Sequence, residues 1–542
     1  MTTRDGVRLD ADLYRPDAEG EFPVLLMRQP YGRAIASTVV YAHPAWYAAQ
    51  GYIVVIQDVR GRGTSDGEFQ LFAHEMADGY DTVTWAAQLP GSTGQVGMYG
   101  FSYQGMTQLY AAATHPPALK TICPAMVGYD LYQDWAYEGG AFCLQANLGW
   151  AAQLAAETAR LKGDGAAFQA LATAAKNLPL CDPVPSRSGL LKTLAPDSFY
   201  HDWLDHPYPD DYWDSLSPKR YLAEVDLPML HIGGWFDTFM RGTLHLYKEM
   251  ADRSQYRQQL VVGPWAHLPW GRKVGAIDYG HAAASPCDRL QIRWFDHFLK
   301  GIDSGLLQEP PLLLFEMGSN QWRSLDRWPN HPPTSWFLSS SGLASMAETE
   351  GRLESTAAAL PPVADWLVHD PWRPVPALGG HATFPSGSFD RSSLDCRTDV
   401  LTYTSSPLET DLVLVGEISV QVYCTADAAS FDLSAVLSEV DARGGVYNFS
   451  QGYRRINSKD STDPVEITLQ PTCIRLKQGN ALRLSLSAAC FPAYPVNGGT
   501  GAAAGETRLI DQQVITVTLM SGGDRPSRVV LPMLNQTSDF SV

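Results

Sequence analysis

The chain begins with alternating apolar and polar positions around an Asp-Gly pair, MTTRDGVRLDADLYRP, and then settles into a repeated unit. Each unit is a short continuous apolar run, a turn, and a segment with apolar positions at helical spacing. FPVLLMRQ and YIVVIQD are such runs, EMADGYDTVTWAAQL reads as a helix, and VGMYGFS is again a strand. Continuous apolar runs are what strands covered on both faces of a parallel sheet require, so residues 1–125 read as the first part of an α/β domain. From 126 to 225 the runs stop, and Ala-rich segments such as LGWAAQLAAETARLKG and GAAFQALATAAKNL predict an inserted helical cap. Strands resume in LPMLHIGGWFD and QQLVVGPWAH, followed by the helix DRLQIRWFDHFLKG, so residues 226–330 read as the second part of the same domain. Residues 331–542 carry alternating strands, among them DLVLVGEISVQVYCT, FDLSAVLSEVD, ALRLSLSA and QQVITVTLM, separated by Gly, Pro and Asn turns. That pattern predicts a β-sandwich, here a jelly roll.

Composition narrows the class. At 542 residues the chain exceeds a single core, and 45% hydrophobic with 18% charged residues is the make-up of a globular protein. Forty basic against 58 acidic side chains give a net charge of −18, which repels nucleic acid and anionic lipid, so neither is an expected partner. No apolar run is long enough to span a bilayer, and the first residues lack the apolar core of a signal peptide, so a cytoplasmic location is expected. The eight cysteines form no Cys-x-x-Cys pair, so neither a metal nor any other cofactor is expected.

The stretch GMYGFSYQG carries the chemistry. Ser102 stands between a strand and a helix, with Gly100 two places before it and Gly105 three places after, so the chain can turn sharply and lift the hydroxyl over the end of a sheet. The next backbone N–H, that of Tyr103, then lies at a helix N-terminus and can donate to an oxyanion. A serine needs a base, and the base needs a carboxylate, arriving on such a sheet in the order Ser, acid, His. Among 13 histidines, His245 and His297 fall in helical patterns, and His43, His74, His115, His201 and His206 precede any later acid. His267 ends QQLVVGPWAH and Asp237 ends LPMLHIGGWFD, so Ser102, Asp237 and His267 follow three strands in the required order. Tyr31, just after FPVLLMRQP, is either a second oxyanion donor or a turn tyrosine.

These segments, together with RQPYGR, IVVIQDVRGRGTSDGEF, HPYPDDYWDSLSP, CFPAYP and PSRVVLPML, resemble the CocE/NonD family of serine hydrolases over nearly the whole chain. That family includes cocaine esterase-like enzymes, α-amino acid ester hydrolases, glutaryl-cephalosporin acylases and Xaa-Pro dipeptidyl-peptidases. The resemblance implies an α/β-hydrolase domain with an inserted helical cap and a C-terminal jelly roll. It also implies that the Tyr31 hydroxyl and the Tyr103 N–H form the oxyanion hole, and that the enzyme assembles as a homodimer or larger. In the cocaine esterase-like branch Trp135, Trp150, Phe239 and Phe384 match residues lining an acyl pocket, which suits an apolar or aromatic acyl group. Asp134 matches one of three carboxylates that hold a substrate ammonium in the amino-ester hydrolases, but Thr238, Phe239, Met240 and Arg241 supply neither of the others. The expected substrate is a small-molecule ester. An amide is the alternative within the family, and a carbohydrate-binding protein with an idle hydrolase domain is the alternative outside it.

Overall fold

A computed structural model describes residues 1–330, 332–356, 361–457 and 463–534. The apolar runs form a nine-stranded sheet. Its strands are β1 (Ala11–Tyr14), β2 (Phe22–Gln29), β3 (Ile53–Asp58), β4 (Ser92–Phe101), β5 (Leu119–Ala125), β6 (Met229–Phe236), β7 (Gln258–Ala266), β8 (Leu312–Glu316) and β9 (Gln321–Leu325). They lie in the order β1-β3-β2-β4-β5-β6-β7-β8-β9. The pairs from β3 through β8 are parallel, and only the edge strands β1 and β9 run antiparallel to their neighbours. The chain therefore passes outward from β2 to β3 and returns across β2 to β4. At such a reversal the crossover connections leave on opposite sides and open a crevice beyond the strand ends. Loops after β2, β4, β6 and β7 all meet along this one edge of the sheet.

The helices Glu75–Ala87 and Tyr103–Ala112 cover one face, and Cys287–Lys300 covers the other. β2 and β3 are almost wholly buried, as their uninterrupted apolar character requires. Between β5 and β6 lies the inserted region, built mainly of helices, of which Leu144–Leu161 and Gly165–Lys176 are the longest. It also holds a two-strand hairpin, Tyr137–Glu138 against Ala141–Phe142, that the sequence pattern did not announce. This hairpin reaches the C-terminal strands: a Cβ on Gly139 would sit 2.0 Å from the Tyr453 carbonyl oxygen, and the Arg455 N–H donates to the Gly139 carbonyl at 2.9 Å.

The C-terminal region is an eleven-stranded network of mostly antiparallel ladders. Its long strands Leu412–Ala426 and Val465–Leu476 pair with each other. One hydrophobic cluster runs without a break from Trp235, Met240 and Leu314 to Ile418, Leu433 and Leu469, so this region packs directly beneath the strands that end at the site.

Candidate active site

Ser102 follows β4 and caps the helix Tyr103–Ala112 with φ 58° and ψ −128°. Positive φ is costly for a residue with a Cβ and persists only where neighbours enforce it. Here the Ser102 N–H donates to the Ala125 carbonyl at 2.9 Å and the Met106 N–H to the Ser102 carbonyl at 2.9 Å. A Cβ on Gly100 would lie 2.5 Å from Gln104 Cβ, and one on Gly105 2.4 Å from Val127 Cγ1. Both glycines are therefore demanded by close approach. Gln104 occupies the place where such elbows often have glycine, and its Oε1 accepts from the Phe101 N–H at 3.3 Å, bracing the turn.

Tyr103 is the first helical residue, so its N–H has no carbonyl to bond within the helix. Its side chain points away into the core, where the hydroxyl donates to Glu75 Oε1 at 2.8 Å, while Glu75 is paired with Arg28 at 2.6 Å. Asp237, just past β6, is fully buried, and its Oδ1 lies 2.8 Å from Nδ1 of His267, just past β7. Donation from Nδ1 to the carboxylate leaves Nε2 of His267 as the acceptor. The imidazole stands between the rings of Phe101 and Phe239, at centroid distances of 5.4 and 5.1 Å.

The loop after β2 is tied down from below. Gln29 Oε1 accepts the Tyr31 N–H at 2.8 Å, and Gln29 Nε2 donates to Asp58 Oδ1 at 2.9 Å. Asp58, at the end of β3, also takes the Arg33 N–H at 2.7 Å and its guanidinium at 2.6 Å. RQPYGR and IQDVRGRG are thus two halves of one clamp. It presents the Tyr31 hydroxyl beside Ser102, and Trp150 Nε1 donates to the same phenol oxygen at 3.1 Å. Burial pushes the Tyr31 phenol up to about 12, against the opposing pull of Trp150, the Arg62 charge and Ser102. It remains a donor at neutral pH.

Comparison with known proteins covers nearly the whole chain. Residues 5–269 match the X-Pro dipeptidyl-peptidase (S15) family, and residues 304–530 match the X-Pro dipeptidyl-peptidase C-terminal non-catalytic domain. Cocaine esterase from Rhodococcus sp. (strain MB1 Bresler) is 32% identical over 98% of this chain and 97% of its own. The chain belongs to the CocE/NonD family of serine hydrolases. It is a serine ester hydrolase, with peptidases and amino-ester hydrolases as relatives within that family. Two solved structures share the fold over 98% of this chain and 95% of theirs, each at 22% identity. They are an aminopeptidase from a marine sediment Thaumarchaeota archaeon, with a TM-score of 0.82, and an α-amino acid ester hydrolase, with a TM-score of 0.77.

Three of the four expected pocket aromatics of this CocE/NonD hydrolase come together. Trp135 lies against Phe239 with centroids 4.1 Å apart and against Trp150 at 5.1 Å. A continuous wall therefore runs from His267 through Phe239, Trp135 and Trp150 to Tyr31. Phe384 stands apart from it: the residue is 75% exposed, and its ring stacks on none of these aromatics among the described residues. Its backbone is held in both directions by Gln145, at 3.1 Å each, which turns the side chain outward. Asp134 is likewise committed elsewhere. Its Oδ2 accepts from the Tyr129 and Asp130 N–H groups at 3.2 and 2.7 Å and lies 3.4 Å from His245 Nδ1, so the carboxylate closes its own turn.

The cation seen in sequence near the acid, Arg241, is neutralised. Glu138 Oε2 accepts from Arg241 at 2.7 Å, from His381 at 2.8 Å and from Tyr494 at 2.5 Å. Burial opposes the Glu138 charge, but Arg241, His381 and Tyr494 outweigh it and hold the carboxyl well below the usual range. Glu138 and the C-terminal residue Gln470, which bonds the Asp237 backbone, were not singled out by sequence reasoning. Nothing in the local pattern marks them, because both act across domains.

Proposed function

We propose that Ser102 is the nucleophile, His267 the general base and acid, and Asp237 the carboxylate that orients the imidazole. Ser102 Oγ attacks the ester carbonyl as its proton passes to His267 Nε2, and the negative charge on the carbonyl oxygen is received by the Tyr31 hydroxyl and the Tyr103 N–H. Collapse expels the alcohol, which takes the proton from His267. A water, deprotonated by the same nitrogen, then attacks the acyl-enzyme and releases the acid. The observation that carries this reading is the 2.8 Å His267–Asp237 bond just past β6 and β7, whose ends lie along the same edge of the sheet as the constrained turn at Ser102.

The substrate under this reading is a small carboxylic ester whose acyl part is apolar or aromatic, because Trp135, Trp150 and Phe239 offer ring faces beside the reacting centre. All eight cysteines are unpaired and six are buried, which supports a reducing, cytoplasmic setting. Among the described residues no helix is long and apolar enough to cross a membrane. A fluorophosphonate probe tests the assignment directly. It is expected to label the protein once, and Ser102→Ala is expected to lose both the label and turnover of an activated ester by several orders of magnitude. Labelling that survives in Ser102→Ala would place the nucleophile elsewhere.

A further inference from the structure

The Trp150 indole does more than wall the pocket. It belongs to the helix Leu144–Leu161 of the inserted region, yet its Nε1 donates to Tyr31 Oη across the domain boundary at 3.1 Å. An indole N–H is only ever a donor. This bond therefore makes the Tyr31 oxygen the acceptor on the cap side and leaves the phenol O–H free to turn toward Ser102, where the oxyanion forms. Without it, the phenol could spend its proton on other acceptors and arrive at the transition state unaligned.

The helix is seated by a second contact from the hydrolase domain. Arg62, from the RGRG segment after β3, is almost fully buried, and its Nη1 donates to the Leu154 carbonyl and to Thr158 Oγ1, both at 3.1 Å and both on this helix. Its guanidinium lies 3.8 Å from the centroid of the Phe69 ring, and among the described residues no carboxylate is within 4 Å of it. A buried cation spent on one carbonyl and one hydroxyl is an expensive way to hold a helix unless the seat of that helix matters.

We propose that Trp150 is a positioning residue of the oxyanion hole: the cap, through its indole N–H, aligns the Tyr31 hydroxyl, and Arg62 sets the helix that delivers it. The proposal rests on the assignment of Tyr31 as oxyanion donor. It follows that the catalytic apparatus is complete only with the cap docked.

The test is a double-mutant cycle on an acetyl ester, whose acyl group is too small to draw on the ring as a wall. Wild type, Trp150→Phe, Tyr31→Phe and the double variant are compared in kcat and KM. Trp150→Phe is expected to lower kcat about tenfold with KM changed less than about twofold, and to cost nothing further in the Tyr31→Phe background. An equal loss in both backgrounds would overturn the positioning role while leaving Tyr31 as donor. Full activity of Tyr31→Phe would overturn the oxyanion assignment and the proposal with it. If Trp150→Phe folds poorly, β-(3-benzothienyl)alanine at position 150 replaces the N–H by sulfur in a ring of nearly the same shape. The same kcat loss is then expected, and unchanged kcat would overturn the proposal.

Discussion

Gln470 donates a 2.6 Å hydrogen bond from Nε2 to the backbone carbonyl of Asp237. The donor lies on the strand Val465–Leu476 of the C-terminal region and is 1% exposed, so the contact is shielded from water. The C-terminal domain therefore reaches the backbone of the residue whose carboxylate bonds His267, the base of the proposed mechanism. Gln470→Leu removes the donor while conserving bulk. We expect kcat to fall about tenfold with KM within about twofold, since a net hydrogen bond contributes about 1 kcal/mol and Asp237 acts only through His267. Unchanged kcat with a lowered melting temperature would show that the strand merely packs there.

In the proposed mechanism the Tyr31 hydroxyl is used mainly in the transition state. Tyr31→Phe should lower kcat by roughly a hundredfold to a thousandfold with little change in KM. Because burial pushes the phenol up to about 12, wild-type kcat should show no loss attributable to Tyr31 at pH 10, where a free tyrosine is half ionised. A kcat profile run with circular dichroism at each pH checks this. A falling limb centred near pH 10, present in wild type and absent in Tyr31→Phe, would contradict it.

Acyl preference should follow the aromatic wall. Trp135→Ala removes the ring that joins Phe239 to Trp150, so kcat/KM for a benzoyl ester should fall by about 1 to 3 kcal/mol more than for an acetyl ester of the same alcohol. A free amino group should gain little, because Asp134 is occupied by its own turn and by His245. Phenylglycyl esters are therefore expected to show no strong preference that Asp134→Asn abolishes. Such a preference would mark an amino-ester hydrolase.

His231, on β6, is fully buried and held at about 4 by burial, with Gln258 Oε1 3.0 Å from Nε2 pulling the other way. Unfolding frees an ordinary imidazole that binds a proton near pH 6.5, so the unfolded state gains protons first as pH falls. The stability contribution is complete above pH 6.5 and is lost as pH falls toward 4, on the order of 3 kcal/mol in all. Melting temperatures between pH 7 and 4.5 should fall more steeply for wild type than for His231→Gln, which keeps a donor but has nothing to titrate. Parallel slopes would show that another group controls acid stability.

Much of the molecule is legible in local pattern. Buried parallel strands must be continuously apolar, so β2, β3, β6 and β7 announce themselves, and the α/β-hydrolase order then matches Ser102, Asp237 and His267 after β4, β6 and β7. The elbow glycines are equally plain, because only glycine permits the approaches at 100 and 105. What local pattern could not decide is how side chains from distant segments are shared. Asp134 and Phe384 match substrate-binding positions by family resemblance, yet a turn claims one and Gln145 turns the other outward. Arg241 reads as a free cation until Glu138 folds against it. Trp150 reads as an apolar wall until its N–H meets Tyr31, 119 positions away in the chain. Apolar periodicity reports how a segment meets the core, and it carries no information about which polar atom will find which partner across a domain boundary. Only the packing of the cap and the C-terminal strands onto the sheet decides that.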